Sequence, residues 1–376
     1  MKLQQILIAV LLVASAPSQA QETRYELHGV AGPYVVEQLV NGFSQPIAIE
    51  FLPDGKALVA QRNLGVITRV DFRNGERVDI AAMPGEFKVS DAGLHDVELH
   101  PDYTHTGWIY ITYSEGDPHY STLVIDRIRL DGDKIRDRER IFTADAYAET
   151  LYHYGGRMQF LEGYLYVSVG DRQHPERAQD RSNHTGSILR LHDDGRVPVD
   201  NPFVGLEDEA KPVRPEIWSY GHRNPQGLYV NPQTGELWSS EHGPRGGDEV
   251  NRIVKGANYG WAEISFGFEY EGGPIGKGIV SQEGMQQPVW VYVPSIAPSD
   301  LVFYQGEAFP AWRGSWLIGA LALTHLNRLA LQDGAVVLEE RLVNGLLGRI
   351  RSIAVDSAGL VYLGSDLGGI WRLRPL

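Results

Sequence analysis

The chain has 376 residues, contains no cysteine and carries a formal net charge of −14 at pH 7. The absence of cysteine excludes disulfides, thiolate metal sites and a cysteine nucleophile. The negative charge argues against nucleic acid or an anionic membrane surface as partner, and suits a neutral small molecule or a cation better.

The first twenty residues are typical of a secretory signal. Lys2 precedes an apolar run at residues 6–14, and small residues lead to a cleavage site after Ala20. The run is far shorter than the ~20 residues that span a bilayer, so no membrane span is expected. The mature chain, residues 21–376, is predicted to be periplasmic or secreted and to fold as one domain.

Short runs rich in Val, Ile, Leu and Tyr then alternate with clusters of Gly, Pro, Asn and Asp, and long helical periodicity is hard to find. A unit of strands joined by Pro/Asp/Gly turns recurs six times. This recurrence predicts an all-β, six-bladed β-propeller, and favours it over a β-sandwich with accidentally similar hairpins. The six units are residues 46–70, 96–113, 156–172 with 186–195, 224–243, 299–331 and 350–374.

The spacing of the units is uneven, and the extra length falls in three connections. These are residues 173–185, 200–216 and 262–298, the last of which includes the loop "GFEYEGGPIGKG" at 267–278. Long loops on a propeller tend to gather where function lies.

Several short stretches carry candidate functional side chains. His153, in "YHYGGRM", is a candidate general base or a hydrogen-bonded loop residue. Arg223 and Asn224, in "YGHRNPQGL", can bind an anionic or carbonyl-bearing ligand, or tie two blades together through an Arg–Asp pair. Arg349 and Arg351 stand two apart on one side of a strand, where two cations suit a ligand with several carboxylates.

The stretch "EHGPRGGDEV" (241–250) places two adjacent carboxylates, Asp248 and Glu249, beside four turn-forming residues. Gly243 and Pro244 can offer carbonyl oxygens, and Asp248 and Glu249 can offer charge, which is the mixture of ligands that calcium favours. A tight turn followed by a solvated acidic pair fits these residues equally well.

Taken in order, these stretches resemble the soluble quinoprotein sugar dehydrogenases of the glucose/sorbosone dehydrogenase family. This family includes aldose sugar dehydrogenases that use pyrroloquinoline quinone. The resemblance spans nearly the whole mature chain and is carried by "AGLHDVELHPDY" (92–103), "HYGGRMQF" (153–160), "VSVGDR" (167–172), "GSILRLHDDGRVPVDNPF" (186–203), residues 217–261 and "GRIRSI" (348–353).

The resemblance implies a role for each candidate residue. His153 falls on the general base, Arg223 and Asn224 on contacts to quinone or substrate, and Arg349 and Arg351 on the pair that holds the quinone's carboxylates. Gly243 and Pro244 fall on carbonyls that bind calcium beside the cofactor. The resemblance also assigns Asp248, Glu249 and Tyr259 to the acidic and structural calcium region. Tyr270 is assigned to the border of the cofactor.

Three positions depart from the family pattern. Asp91 replaces a glutamine that faces the cofactor or substrate, and Tyr152 replaces an aspartate found in glucose-oxidising members. Ala322 stands near the place of a lysine that contacts the quinone. The first two departures bear on glucose specificity, and the third bears on the quinone itself.

The sequence therefore predicts an exported quinoprotein that oxidises the C1 hydroxyl of an aldose to a lactone, with pyrroloquinoline quinone and Ca²⁺ as cofactors. The electrons would pass to an external acceptor, and a homodimer is a further expectation. Two other hypotheses stay open. One is a calcium-dependent lactonase, whose ligands should converge from several blades on the axis; the other is a non-catalytic propeller that binds carbohydrate or protein.

Overall fold

The computed structural model describes residues 23–82, 89–206 and 211–376. The predicted signal segment at 1–20 and four residues of the 200–216 connection lie outside these ranges. In the described ranges, no helix is both long and apolar enough to cross a membrane.

In the part of the chain that the structure describes, twenty-five strands form six antiparallel sheets, and the helical content is slight. The chain enters through a hairpin of β1 (Arg24–Gly29) and β2 (Gly32–Val40). Blade one contains β3 (Pro46–Phe51), β4 (Ala57–Gln61), β5 (Val66–Asp71) and β6 (Glu76–Ala81). Blade two contains β7 (Leu94–Leu99), β8 (Ile109–Asp117), β9 (Tyr120–Asp131) and β10 (Lys134–Thr143), with the short helix α1 (Tyr103–Thr106) after β7.

The next two blades carry the longer connections. Blade three contains β11 (Gly155–Leu161), β12 (Tyr164–Val169), β13 (Ser187–His192) and β14 (Ile217–Tyr220), with a 3-10 turn at Pro175–Arg177. Blade four contains β15 (Pro225–Asn231), β16 (Glu236–Glu241), β17 (Asp248–Ile253) and β18 (Trp290–Tyr292).

Two further sheets complete the ring. Blade five contains β19 (Pro298–Tyr304), β20 (Ser315–Ala320), β21 (Leu326–Gln332) and β22 (Ala335–Leu342), with a 3-10 turn at Pro310–Trp312. Blade six contains β23 (Ile350–Val355), β24 (Val361–Ser365) and β25 (Ile370–Pro375). The predicted six-bladed β-propeller is thus confirmed, and each repeat found in the sequence corresponds to one blade.

The ring closes between the two ends of the described chain. Strand β2 pairs antiparallel with β25, with Val36 opposite Leu373, and β1 adds a fifth strand outside it. Blade six is therefore built from both ends of the sequence. This pairing satisfies the edge of β25, which would otherwise be open to other chains.

The hydrophobic core lies between the blades. Six clusters of buried side chains occur, one at each blade-to-blade contact. Trp316, for example, is fully buried in blade five and packs on Trp238 of blade four with ring centroids 5.1 Å apart. Each strand contributes to such contacts because its successive side chains face the two neighbouring blades in turn.

The blades all run from an inner strand outward, so the starts of the six inner strands meet at one end of the central channel. We call this end the mouth. The connections that enter each blade and the turns between its second and third strands also lie there. Because the candidate residues His153, Arg223 and Arg349 directly precede or flank inner strands, the topology places them all at the mouth.

The opposite, lower end of the channel holds a cavity of about 240 Å³ with several carboxyl groups. Glu50, Asp96, Glu98 and Asp300 line it together with Arg157, whose guanidinium lies 3.4 Å from Asp96 and 4.0 Å from Asp300. Burial, with repulsion from Asp96, raises the pKa of Glu50 to about 8, although a backbone hydrogen bond from Leu99 opposes the shift. Burial and the nearby Glu50 also raise the pKa of Glu98.

This cluster predicts a pH-dependent loss of stability. A carboxyl whose pKa is raised on folding stabilises the native state below its unfolded pKa, near 4.5, and that stability is lost as the pH rises to about 8. We expect Glu50 alone to lower the free energy of unfolding by up to about 1.4 kcal/mol per pH unit across this window. The Glu50→Gln variant should show a smaller decline in urea unfolding measured across the same pH range.

The exposed Glu76 of β6 provides the matched control, because Glu76→Gln removes a solvated carboxylate. It should leave the pH profile unchanged. Equal slopes for the wild type and Glu50→Gln would contradict the assignment.

Candidate active site at the mouth of the propeller

A cavity of about 500 Å³ opens at the mouth between blades three and four and the segment 261–276. His153 and Asp171 line it from blade three, Arg223 from the entry to blade four, and Trp261 and Tyr270 from the long connection after β17. The cavity is large enough for a small organic ligand.

His153 and Asp171 form a hydrogen-bonded pair in this cavity. The Nδ1 of His153 lies 2.7 Å from Oδ1 of Asp171. Asp171 is almost fully buried, and it also accepts hydrogen bonds from the indole N–H of Trp261 at 2.7 Å and from the backbone N–H of Gln173 at 2.9 Å. Burial opposes ionisation of this carboxyl, but the hydrogen bond and charge of His153 and the charge of Arg223 outweigh it and lower its pKa.

The pair fixes the tautomer of the imidazole. An ionised carboxylate can only accept a hydrogen bond, so Nδ1 of His153 carries the proton and Nε2 carries the free lone pair. The imidazole can therefore accept a proton at Nε2 while Asp171 stabilises the resulting charge.

Two glycines let the backbone bring this pair together. His153 has a left-handed φ of +56°, and the chain then turns through Gly156, where an added Cβ would lie 2.5 Å from Cβ of His95. At Gly170, just before Asp171, an added Cβ would lie 2.1 Å from the carbonyl oxygen of His153. A side chain at Gly156 or at Gly170, the glycine of "VGDR", would collide with these atoms, so sterics explain why both positions are glycine.

Arg223 joins the cavity to the 241–249 turn. Its guanidinium donates to the carbonyl oxygens of His242 at 3.1 Å and Gly243 at 2.9 Å and lies 5.3 Å from the ring of Trp261. The neighbouring Asn224 is buried and accepts hydrogen bonds at Oδ1 from Gly155 and Gln226. These contacts, rather than an Arg–Asp pair, hold the two residues in place.

A much smaller cavity, of about 20 Å³, lies behind Arg223. Glu241, Glu249, Gly243 and Tyr259 line it, and its volume suits one water molecule or one ion. Burial and the charge of Glu241 raise the pKa of Glu249 to about 8. The buried carboxyl of Glu241 and the partly buried carboxyl of Glu249 therefore face a space in which a cation would relieve their repulsion.

The other members of the predicted calcium set are placed differently. Asp248 accepts hydrogen bonds from the backbone N–H groups of Gly243, Ile296 and Ala297 and from the hydroxyl of Ser295, at 2.6 to 2.9 Å. Its carboxylate thus fixes the turn against the entry to blade five instead of facing solvent. The hydroxyl of Tyr259 is likewise occupied by the backbone of Arg252 and Val254.

No three His, Asp or Glu side chains in the described parts of the chain converge closely enough to hold a metal ion. A cation in the small cavity would therefore depend on Glu249 together with carbonyl oxygens. Pro244, whose carbonyl was assigned to calcium by resemblance, lines the larger cavity.

Arg349 and Arg351 share one carboxylate partner at the mouth. Arg351 is buried and donates to both oxygens of Asp366, at 2.6 and 2.8 Å, whereas Arg349 is half exposed and approaches Asp366 at 3.3 Å. Asp91 lies nearby, 3.7 Å from the buried Arg62. Burial and the charge of Arg351 lower the pKa of Arg349, so this corner of the mouth is electropositive.

Charged groups from both sides of the mouth act electrostatically on His242. Burial together with Arg223, His153 and Arg351 lowers the pKa of His242 to about 3. All three side chains thus act electrostatically on His242, although Arg349 and Arg351 do not line the 500 Å³ cavity itself. Ala322 lies in the turn between β20 and β21, also at the mouth, and brings no cation there.

Sequence reasoning missed several residues of this site. Asp171 lies within "VGDR" and Trp261 ends the 217–261 block, but neither was singled out as functional. Asp171 could have been noticed as a carboxylate placed directly after a buried strand. Glu241, Asp366 and Arg62 gave no comparable signal, because their roles depend on partners far away in the sequence.

Comparisons with known proteins agree with this architecture. The family model described as Glucose / Sorbosone dehydrogenase matches residues 43–372. Aldose sugar dehydrogenase YliI of Escherichia coli (strain K12) is 34% identical over 348 residues, which cover 90% of this chain and 92% of that protein.

Two solved structures extend the comparison. The apo-form of the soluble aldose sugar dehydrogenase from Escherichia coli is 35% identical, has a TM-score of 0.84, and covers 91% of this chain and 99% of its own. The PQQ-bound aldose sugar dehydrogenase from Streptomyces coelicolor is 26% identical, has a TM-score of 0.75, and covers 94% and 98%. The chain belongs to the glucose/sorbosone dehydrogenase family.

Proposed function

We propose that this sugar dehydrogenase family member oxidises the C1 hydroxyl of an aldose to a lactone, with pyrroloquinoline quinone and calcium as cofactors and His153 as the general base. The observation that carries the proposal is the His153–Asp171 pair in the cavity at the mouth, beside Arg223 and Trp261. The family and the PQQ-bound relative support the choice of cofactor.

His153 would remove the proton from the sugar hydroxyl. Its Nε2 is the nitrogen left free by Asp171, and the side chain lines the cavity that the sugar would enter. Asp171 orients the ring and stabilises the charge that the imidazole gains, and Trp261 and Gln173 hold Asp171 in turn. General base catalysis of this kind typically contributes ~10²–10⁴ in rate.

The residues at the mouth fit an anionic quinone. When bound, the quinone would accept the hydride of the C1 carbon. Arg223 and Arg351 both lie within electrostatic reach of His242, and Arg349 is half exposed at the same end of the channel. These three guanidinium groups would hold the carboxylates of the cofactor in the absence of a lysine at position 322.

The 20 Å³ cavity is the place where the residues fit a calcium ion. Glu249 supplies charge, the carbonyl-rich turn at Gly243 supplies further oxygens, and the hard oxygen donors match calcium. The cation would neutralise the repulsion between Glu249 and Glu241 and fix the turn that carries Gly243 and Pro244.

Neither alternative is favoured. A lactonase-type centre needs ligands from several blades on the axis, and the lower channel does carry carboxyls from blades one, two and five. Nevertheless, in the described ranges no three of them close on one point. The pairing of His153 with the buried Asp171 inside the cavity favours a catalytic imidazole over a purely binding propeller.

Export is proposed from residues 1–20 alone. The mature protein would then begin at Gln21. N-terminal sequencing of the exported protein would test this, and an intact Met1 would contradict it.

The first catalytic prediction concerns the His153–Asp171 pair. After reconstitution with calcium and quinone, His153→Ala should lower kcat for dye reduction with aldoses by ~10²–10⁴. Asp171→Asn should also lower kcat because the imidazole loses its orientation and its tautomer. Quinone binding, followed by fluorescence titration, should persist in both variants.

The exposed His119 of the β8–β9 turn offers a matched control. His119→Ala should retain the wild-type kcat. Wild-type turnover in His153→Ala would refute the assigned base, and turnover without any quinone would move the lactonase hypothesis forward.

The second prediction concerns the cation. Calcium added to chelator-treated protein at about 100 times its Kd should stabilise the fold by about 2.7 kcal/mol, seen as a higher Tm. Glu249→Gln should abolish most of this shift, whereas Glu76→Gln should keep it. An unchanged calcium response in Glu249→Gln would place the ion elsewhere.

A further inference from the structure

A second groove adjoins the catalytic cavity at the mouth. It has a volume of about 780 Å³, and Pro244 and Tyr270 line both spaces. Its other walls include Phe268, Val293 and Pro294, and the side chains of Phe268 and Val293 are 54% and 65% exposed. We call this space the lip groove. Such a group of solvated apolar side chains next to a reaction site marks a surface for an interaction partner.

The segment that supplies Phe268, Tyr270, Gly272 and Gly273 to the lip groove carries uncompensated negative charge. The segment 262–284 contains four exposed glutamates and a single lysine, Lys277. None of these glutamates takes part in an ion pair or a side-chain hydrogen bond with another described residue. They are Glu263, Glu269, Glu271 and Glu283. Arg245 is the one charged side chain among the residues that line the groove, and Glu263 and Glu269 line the catalytic cavity, so the negative charge belongs to the flanking segment and not to the groove wall.

The chemistry requires an electron acceptor at this end of the molecule. Oxidation of one hydroxyl to a carbonyl releases two electrons and two protons. The chain has no cysteine, so it can hold neither a thiolate-bound iron–sulfur cluster nor a c-type haem. In the proposed reaction the electrons leave from the mouth, where the reacting groups lie.

We propose that the lip groove docks a small one-electron redox protein whose exposed cofactor edge is surrounded by basic side chains. The inference rests on the proposed function. Two partner molecules would each take one electron per sugar oxidised, and the two protons would pass to solvent. A small apolar centre with a complementary charged rim suits a transient complex that forms rapidly and dissociates rapidly.

The structure disfavours the two other occupants. The remainder of a longer sugar would need several hydrogen-bonding side chains, and the groove offers chiefly Phe268, Val293 and proline surfaces with Arg245 and Ser295. A second copy of the chain would bring the same glutamates against one another across a two-fold axis, which like charges oppose.

The test uses the mature protein, reconstituted with calcium and quinone, and three acceptors. These are cytochrome c as a basic haem protein, the same cytochrome with succinylated lysines, and a small neutral dye. Raising the salt from about 10 mM to about 0.5 M should slow reduction of native cytochrome c roughly 10-fold or more. The succinylated form should react slowly and speed up with salt, and the dye should show little dependence.

Variants locate the surface. Glu271→Gln/Glu283→Gln removes two charges that do not line the catalytic cavity, and Phe268→Ser removes the exposed ring. Each should lower the rate with native cytochrome c about 3- to 10-fold and weaken its binding to the quinone-free protein at low salt, while dye reduction is retained. Asp131→Asn/Asp333→Asn, at the lower-end hairpins, removes the same charge and should change neither quantity.

The dye and cytochrome c measurements distinguish the docking inference from its alternatives. The docking inference would be overturned if the dye is reduced but the binding and reduction of cytochrome c change neither with salt nor in the two lip variants. Absence of dye reduction would refute the proposed function, and salt-dependent, variant-sensitive binding of cytochrome c would still support the docking surface. If Phe268→Ser changes only kcat/KM for disaccharides, the groove binds sugar instead. If the wild type is a dimer and the lip variants are monomers, the groove is occupied by a second copy of the chain.

Discussion

The pairing of β2 with β25 is the constraint on which the rest of the molecule depends. It joins the beginning of the described chain to its end and closes six sheets into a ring. Once the ring is closed, every blade packs on two neighbours and the apolar side chains are buried at six equivalent contacts. The same closure forces all six inner strands to begin at one end of the channel. The active site is a consequence of that geometry, because its residues belong to the segments that enter the inner strands.

Charge is separated along the channel. Guanidinium groups of Arg62, Arg351 and Arg223 lie towards the mouth, and the carboxyls of Glu50, Glu98 and Asp300 lie towards the lower end, with Arg157 between them. A buried charge is costly unless it is paired, so the arginines near the mouth share Asp91 and Asp366, and the lower carboxyls are shifted towards their neutral form. The positive mouth suits an anionic cofactor, whereas the outer lip at 262–284 is negative. The two surfaces therefore suit different partners.

The site combines side chains in a fixed geometry with side chains that are exposed to solvent. His153, Asp171 and Arg223 are held by buried strands and by hydrogen bonds to backbone, which keeps their geometry fixed. Tyr270 and Phe268 belong to the long connection after β17 and are largely solvent-exposed. A reaction that first takes up a sugar and then delivers electrons to a second molecule needs both properties, a precise interior and an accessible border.

The sequence by itself determined the repeat count, the all-β class and the stretches that carry His153, Arg223, Asn224, Arg349 and Arg351. These features are local, because strand alternation and turn residues follow from neighbours in the chain. Only the tertiary structure decided which side chains meet: Trp261 reaches Asp171 across 90 positions, and Arg351 and Arg223 approach His242 from different blades. It also showed that Asp248 fixes a turn through backbone hydrogen bonds, whereas Glu249 faces Glu241 across a small cavity. Two adjacent acidic residues of a strand point to opposite faces, so their environments differ for a reason that becomes visible only when the neighbouring blades are in place.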